Sequence, residues 1–211
     1  MADQRRPRRP EFRTPAELEA AGGEALDPAE VSEVAHETAA ALVGQGRASQ
    51  DPALRERLVH LVDELGVATV AELWAQRPAV SLPGALWRLY MLREWVQRDP
   101  AGASADYTEG MKHADVAHVV AGAAEPPGPD EVRDLGDAIV RGVYEGDLAV
   151  ALDRAAAFCR VIAVGRAHRA DDRDGLDEEG AARATRTAGS LVTTAHDLER
   201  AAALWRDSRL T

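Results

Sequence analysis

The sequence predicts an all-α protein: a helical bundle of about seven to eight helices, with a disordered basic N-terminal tail and a long C-terminal helix. Alanine and leucine are abundant while β-branched and aromatic runs are scarce, which favours helix over strand. Apolar residues recur every three to four positions along most of the 211 residues. Hydrophobic residues make up 45% of the chain, so it can bury a core.

Residues 1–26 are predicted to form a flexible tail, because the prolines of its RRPRRP run oppose a continuous helix. Residues 1–15 carry a local charge of +3, which leaves −14 on the remaining chain. Clustered arginines can contact an acidic protein surface or nucleic-acid phosphates without folding. The candidate partner-binding residues are therefore Arg5, Arg6, Arg8, Arg9 and Arg13. An idle, solvated terminus is the alternative.

Two Asp-Pro pairs mark helix starts in the N-terminal helical part, residues 27–124. Asp27-Pro28 and Asp51-Pro52 each offer a capping carboxylate followed by proline at the first helical position. Gly44 and Gly46 are expected to stop the first helix. Gly66 is expected to end the second helix as a left-handed cap.

The rest of the N-terminal part is predicted to contain one short, one central and one weak helix. Thr69 and Glu72 have the spacing of a capping box for the short helix. Residues 85–96 are mostly apolar, which predicts a helix buried on most sides. An imperfect apolar stripe predicts a further helix over about 104–121.

The C-terminal helical bundle part, residues 125–211, follows the stiff EPPGP segment, which is the best candidate domain boundary. The two parts could also form one continuous domain. A tight YEGD junction predicts a helical hairpin near residue 146. The last helix is expected to span about 178–209. It carries small residues on one stripe, which allow close helix contact: Ala188, Ala195 and Ala202.

Composition limits the possible functions. A net charge of −11 makes general nucleic-acid binding by the folded body unfavourable. The single cysteine, Cys159, lies on a predicted apolar stripe, which indicates a core thiol with a raised pKa. The chain has no apolar run of membrane-spanning length and no secretory signal pattern. We therefore expect a cytoplasmic protein without membrane contact.

Two acid–histidine pairs have a spacing that could suit metal ligation in a bundle. Glu33 with His36, and Asp115 with His118, each have the E-x-x-H or D-x-x-H spacing. Such a site needs further carboxylates, and no pattern selects them, although Glu64 and Glu199 are conceivable. Surface pairs that support a helix are the favoured interpretation of this spacing. We predict no metal and no cofactor.

Two further patterns resemble functional motifs only in part. The segment around Gly66 has the outline of a helix-turn-helix, but its second helix, 69–76, contains Glu72 and no lysine or arginine. It is interpreted as a structural corner. The acidic loop over 170–180 lacks the central glycine of a calcium loop, which indicates a solvated loop.

No catalytic motif is assembled in the sequence, so catalysis is uncertain and less expected than binding. The leading hypothesis is a non-catalytic helical protein that acts through protein–protein interaction or regulation, with an unknown protein partner. The alternatives are a nucleic-acid-associated protein that uses the arginine tail, and a metal-binding bundle or enzyme. A homodimer through the last helix is possible.

Overall fold

The computed structural model describes residues 27–114, 119–122, 127–172 and 177–211. Within these ranges the chain is helical and contains no strand, which confirms the all-α prediction. The helices whose full extent is described are α1 (Pro28–Ala48), α2 (Pro52–Val59), α3 (Leu61–Leu65), α4 (Val67–Trp74), α5 (Leu82–Arg98), α6 (Pro100–Met111), α7 (Pro129–Glu145), α8 (Leu148–Asp171) and α9 (Glu178–Arg206).

Aspartate caps begin several helices, as the start signals predicted. The carboxylate of Asp27 accepts a hydrogen bond from the backbone N–H of Ala29, and that of Asp51 accepts one from Ala53. Asp147 caps α8 in the same way. Each bond satisfies a backbone donor that the first helical turn leaves without a partner.

Glycine did not end α1 as expected. The helix continues through Gly44 and Gly46 to Ala48. Gly46 is buried, and a Cβ atom there would lie 2.4 Å from a ring carbon of Tyr144 on α7. Gly46 is therefore a site of close packing within the helix, where a larger residue would not fit.

Two other boundaries differ from the predictions. The expected capping box at Thr69 and Glu72 is wrong, because α4 already begins at Val67. Gly66, with φ of 83°, turns the chain between α3 and α4, and its positive φ suits glycine as expected. The second helix also breaks at His60, which separates α2 from α3 and raises the number of helices above the predicted eight.

The weak helix expected over 104–121 has different bounds. It begins earlier, at Pro100, because the Asp99 carboxylate caps it by accepting from the N–H of Gly102. It ends at Met111. Val119 and Val120 are exposed, so they do not extend its apolar stripe.

The predicted central helix is confirmed as α5, which buries ten of its 17 residues. One hydrophobic cluster takes in residues from both predicted parts of the chain. For example, the hydroxyl groups of Tyr90 on α5 and Tyr144 on α7 form a hydrogen bond in its interior. The division of the chain into two parts at 125–129 stays a prediction.

α8 packs against both α9 and α6. Arg160 pairs with Glu199 and Arg206 pairs with Asp153, so α8 and α9 run antiparallel. The predicted small-residue stripe is confirmed as buried, and it begins one heptad earlier than expected: Ala181, Ala188, Ala195 and Ala202. On the other side, a Cβ atom on Gly165 would lie 1.8 Å from the backbone oxygen of Asp106 on α6. Small residues thus set both contacts.

Candidate functional site

The predicted partner-binding arginines lie outside the described residues, as does all of the tail. These are Arg5, Arg6, Arg8, Arg9 and Arg13. Asp115 and His118 also lie outside the described residues, as do positions 173–176 of the acidic loop. The described surface nearest in sequence to the tail is the beginning of α1.

A groove runs between α1 and the short helices α3 and α4, and we call it the α1 groove. It consists of two neighbouring cavities, of about 640 and about 300 Å³, which share Leu73. Together they follow α1 from Glu30 to Gln45. That stretch of helix is about 22 Å long, enough for about four turns of a docked helix.

Carboxylates surround the larger cavity of the α1 groove. They belong to Glu30, Glu33 and Glu37 on α1 and to Glu72 on α4. In the part of the chain that the structure describes, no lysine or arginine lines either cavity. Glu33 and Glu37 are four residues apart on one helix face, where two like charges cost about 0.2–0.5 kcal/mol. The rim is therefore a negative surface, and a cationic ligand would reduce the repulsion between its carboxylates.

Apolar side chains in the α1 groove remain in contact with water. Val34 is 47% exposed and Leu65 is 50% exposed, and both line the groove. Leu73 between them is half-buried against the core. Large apolar side chains grouped beside a polar rim are typical of surfaces that another chain covers.

The groove follows from the sequence pattern of two helices. α1 buries Ala35, Ala39 and Val43, and among the described residues the glutamates and Val34 fall on neighbouring faces that stay exposed. α4 buries Val70 and Trp74 and turns Glu72 outwards. The exposed face of this second helix of the helix-turn-helix outline is thus acidic, which disfavours contact with DNA.

A polar cluster at the α2–α3 break surrounds one buried arginine. Arg93 on α5 is 3% exposed, and its Nε donates to Asp137 over 2.7 Å. Its Nη2 lies 2.6 Å from Nδ1 of His60, and its Nη1 lies 3.0 Å from the Asp63 carboxylate. Although burial opposes its ionisation, His60 and Arg93 hold the pKa of Asp63 below its usual value. These contacts join α3, α5 and α7 around the arginine.

The two buried tyrosines form a second internal link. The hydroxyl of Tyr90 donates to the backbone oxygen of Leu58 over 2.6 Å and accepts from the hydroxyl of Tyr144. Burial, reinforced by the neighbouring hydroxyl, raises the pKa of Tyr90 well above its ordinary value. Burial likewise raises the pKa of Tyr144 to about 12. Both groups stay neutral and act as structural hydrogen-bonding groups.

Cys159 is a core residue, as predicted. It is completely buried in α8, and burial raises the pKa of its thiol to about 12. A thiolate nucleophile needs the opposite environment, with a lowered pKa and some exposure.

The metal hypothesis gains no assembled ligand set from the described residues. Across these ranges, no three histidine, cysteine or acidic side chains converge on a point that could hold an ion. Nδ1 of His36 lies 2.6 Å from the backbone oxygen of Ser32, one turn earlier in the same helix. Glu199 is paired with Arg160, and Glu64 with Arg57. The Asp115 and His118 pair stays a prediction.

Comparisons with protein-family models, curated proteins and solved structures each found no match for this chain. None of the described helices combines the length and the apolar character that crossing a membrane requires.

The sequence reasoning missed the α1 groove. Its signal was present as Glu30, Glu33 and Glu37 around Val34, a spacing that places three acids and an apolar residue on adjoining helix faces. From spacing alone, Glu33 is interpreted only together with His36, as a metal pair or as a surface pair that supports the helix.

Proposed function

We propose that the protein is a non-catalytic helical protein that acts by binding another protein, and that the α1 groove is the binding surface. The observation that carries this proposal is the grouping of exposed Val34 and Leu65 with four carboxylates in one groove. The partner segment we propose is a basic amphipathic helix. Its apolar residues would cover the groove floor, and its arginines or lysines would pair with the glutamates.

Charge decides which class of partner fits. The groove and the folded body are both acidic, so a basic helix gains both local ion pairs and long-range attraction. Nucleic acid would meet repulsion from the same carboxylates. Because the ion pairs stay partly solvated, binding should weaken as salt rises.

The tail arginines are proposed to make a second contact, with acidic groups of the partner outside the docked helix. Removing residues 1–26 should then weaken binding of the whole partner and make it less dependent on salt. If removal strengthens binding instead, the tail is a competitor that occupies the groove glutamates, and the second contact is refuted. We also propose a cytoplasmic location, because the single cysteine is a buried thiol that forms no disulfide.

The central test uses two synthetic helical peptides of 18 residues with leucines at helical spacing. One carries arginines at the polar positions and the other carries glutamates. Fluorescence anisotropy with the full chain should show saturable binding of the basic peptide and no binding of the acidic peptide. Val34→Arg should weaken it at least about tenfold, since it places a cation on the groove floor.

A matched control is available on α8. Val150 is 51% exposed, close to the exposure of Val34, and lies outside the groove. Val150→Arg adds the same charge and should leave the affinity almost unchanged. Equal weakening by both substitutions, or equal binding of the acidic peptide, would refute the groove as the site. A photo-crosslinking residue at position 65 in cells, compared with one at position 150, then identifies the natural partner.

A further inference from the structure

A further cavity, of about 360 Å³, lies on the opposite side of α5 from Arg93. We call it the tryptophan pocket. Trp87, Met91 and Trp95 on α5 and Leu191 on α9 supply its apolar lining. This volume falls within the range of pockets that hold small molecules. The pocket has no counterpart in the interaction proposed above.

The charged residues of this pocket are arginines. Arg88 and Arg166 line it, and no acidic side chain of the described residues does. Arg88 is neutralised by Asp197, which lies 3.4 Å from it, and its Nη1 donates to the backbone oxygen of Gly84. Arg166 shares its carboxylate partner with a second arginine, so Arg166 is the lining residue that leaves a net positive charge.

Arg166 is fixed in place from two directions. Its Nε donates to the buried carboxylate of Asp106 over 2.7 Å, and its guanidinium lies over the Trp95 ring, 4.9 Å from the centroid. Arg169 contacts the other oxygen of the same Asp106 carboxylate. One carboxylate thus faces two guanidinium groups, which leaves an excess charge of +1 beside the pocket.

Polar groups of α9 complete the wall. The hydroxyls of Thr187, Ser190 and Thr194 each donate to the backbone oxygen four residues earlier. Their oxygens can still accept a hydrogen bond, but they offer no charge. The pocket therefore combines indole rings, the fixed guanidinium of Arg166 and uncharged hydrogen-bond acceptors.

We propose that the tryptophan pocket binds a small monocarboxylate with an aromatic body. The ring would lie against Trp87, Met91 and Trp95, and the carboxylate would take N–H donors of Arg166 and balance the excess charge around Asp106. Stacking on indole and charge-assisted hydrogen bonding favour this class over a neutral or cationic ligand.

The test uses 3-phenylpropionate as the probe and 3-phenylpropan-1-ol as its neutral counterpart. The four tryptophans are labelled with ¹⁵N in the full chain, and substitution by phenylalanine assigns their indole signals. Titration with the acid should shift the Trp87 and Trp95 signals saturably, with Kd below about 1 mM. Trp74, which is buried, and Trp205, which lines a different cavity, should not respond. The acid should bind at least about tenfold more tightly than the alcohol.

Two substitutions separate the pocket from a general surface effect. Ser190→Phe fills the pocket and should abolish the shifts, whereas Thr193→Phe, at an exposed position outside its lining, should preserve them. Arg166→Gln should remove the preference for the acid, with circular dichroism confirming the fold. Equal affinity for acid and alcohol, absence of a saturable shift, or a response at Trp205 alone would each overturn the proposal.

Discussion

α8 with its neighbours and α1 with its neighbours represent two ways of using a helix. α8 buries 14 of its 24 residues, whereas α1 buries four of 21. The difference lies in the side chains at the contacts. Alanines and glycines let α6 and α9 approach α8 until little surface remains. α1 places glutamates and Val34 beside its narrow buried stripe, so a groove stays open. Small residues thus allow two helices to pack closely, whereas large charged residues leave a solvent-accessible groove between them.

Replacing a glycine with alanine should lower stability in the α8 region and raise it in α1. The loss in the α8 region is the largest change in the free energy of unfolding that we expect. Gly165→Ala adds a Cβ atom that meets backbone atoms of α6, with the nearest oxygen 1.8 Å away. Because neither backbone can move without opening the contact, we expect a loss of about 3 kcal/mol or more in the free energy of unfolding. Urea denaturation monitored by circular dichroism measures it.

Gly44→Ala in α1 is the matched control. A Cβ atom at position 44 meets nothing within 4 Å. Alanine should therefore stabilise the helix by about 0.5–1 kcal/mol through its better helix propensity. Equal destabilisation by both substitutions would show that α1 is packed as closely as α8, contrary to the contrast drawn above.

The tyrosine pair sharpens the comparison because Tyr144 packs against Gly46, on the buried side of α1. Tyr90→Phe deprives the buried Tyr144 hydroxyl of its acceptor and should cost about 1–3 kcal/mol of stability. Tyr144→Phe leaves Tyr90 bonded to the backbone oxygen of Leu58 and should cost about 1 kcal/mol. Thermal and urea unfolding of the two variants measures the order. A larger loss for Tyr144→Phe would contradict the assigned direction of these hydrogen bonds.

The ion pair between Arg160 and Glu199 should make the contact of α8 with α9 sensitive to acid. The hydrogen bond from Arg160 lowers the pKa of Glu199 below its ordinary value of 4.5, although burial opposes this. Stability from the pair is therefore present above that value and is lost as pH falls through the lower folded-state pKa. At pH 7, Glu199→Gln should cost less than about 1 kcal/mol, because the pair is partly exposed.

Measuring unfolding at several pH values checks the sign. The stability difference between the original chain and Glu199→Gln should shrink as pH falls from 5 towards 3. A difference that stays constant with pH would mean that the glutamine disturbs packing rather than removing a charge.

Helix starts and buried helix faces could be predicted from the sequence, because they depend on local chemistry or on a repeating pattern. The Asp-Pro starts, the buried α5 and the alanine stripe of α9 all follow from local chemistry and helical spacing. The alanine stripe faces within the chain, and a homodimer stays a prediction. Patterns that depend on a distant partner were not predicted. Gly46 was interpreted as a stop signal because nothing local shows that Tyr144 lies against it.

The candidate sites were missed for the same reason. The α1 groove requires knowing that α4 leaves Glu72 facing the α1 glutamates. The tryptophan pocket requires Arg166, which is 71 residues away from Trp95 in the chain yet packs on its ring. Spacing within one helix cannot reveal either juxtaposition.

Cysteine reactivity gives the smallest perturbation and tests the contrast directly. Because Cys159 is completely buried and its thiol pKa is raised to about 12, iodoacetamide should modify the folded chain very slowly at pH 8. A chain carrying Cys159→Ala and Leu65→Cys places its only thiol in the half-exposed groove and should react at a rate near that of a free thiol. Mass spectrometry follows both reactions over time.

In rising urea, modification of Cys159 should increase only with global unfolding, since α8 contributes to the core throughout its length. Fast labelling of Cys159 in native buffer would mean that α8 and α9 separate readily, and the closed region would then be as accessible as the open one.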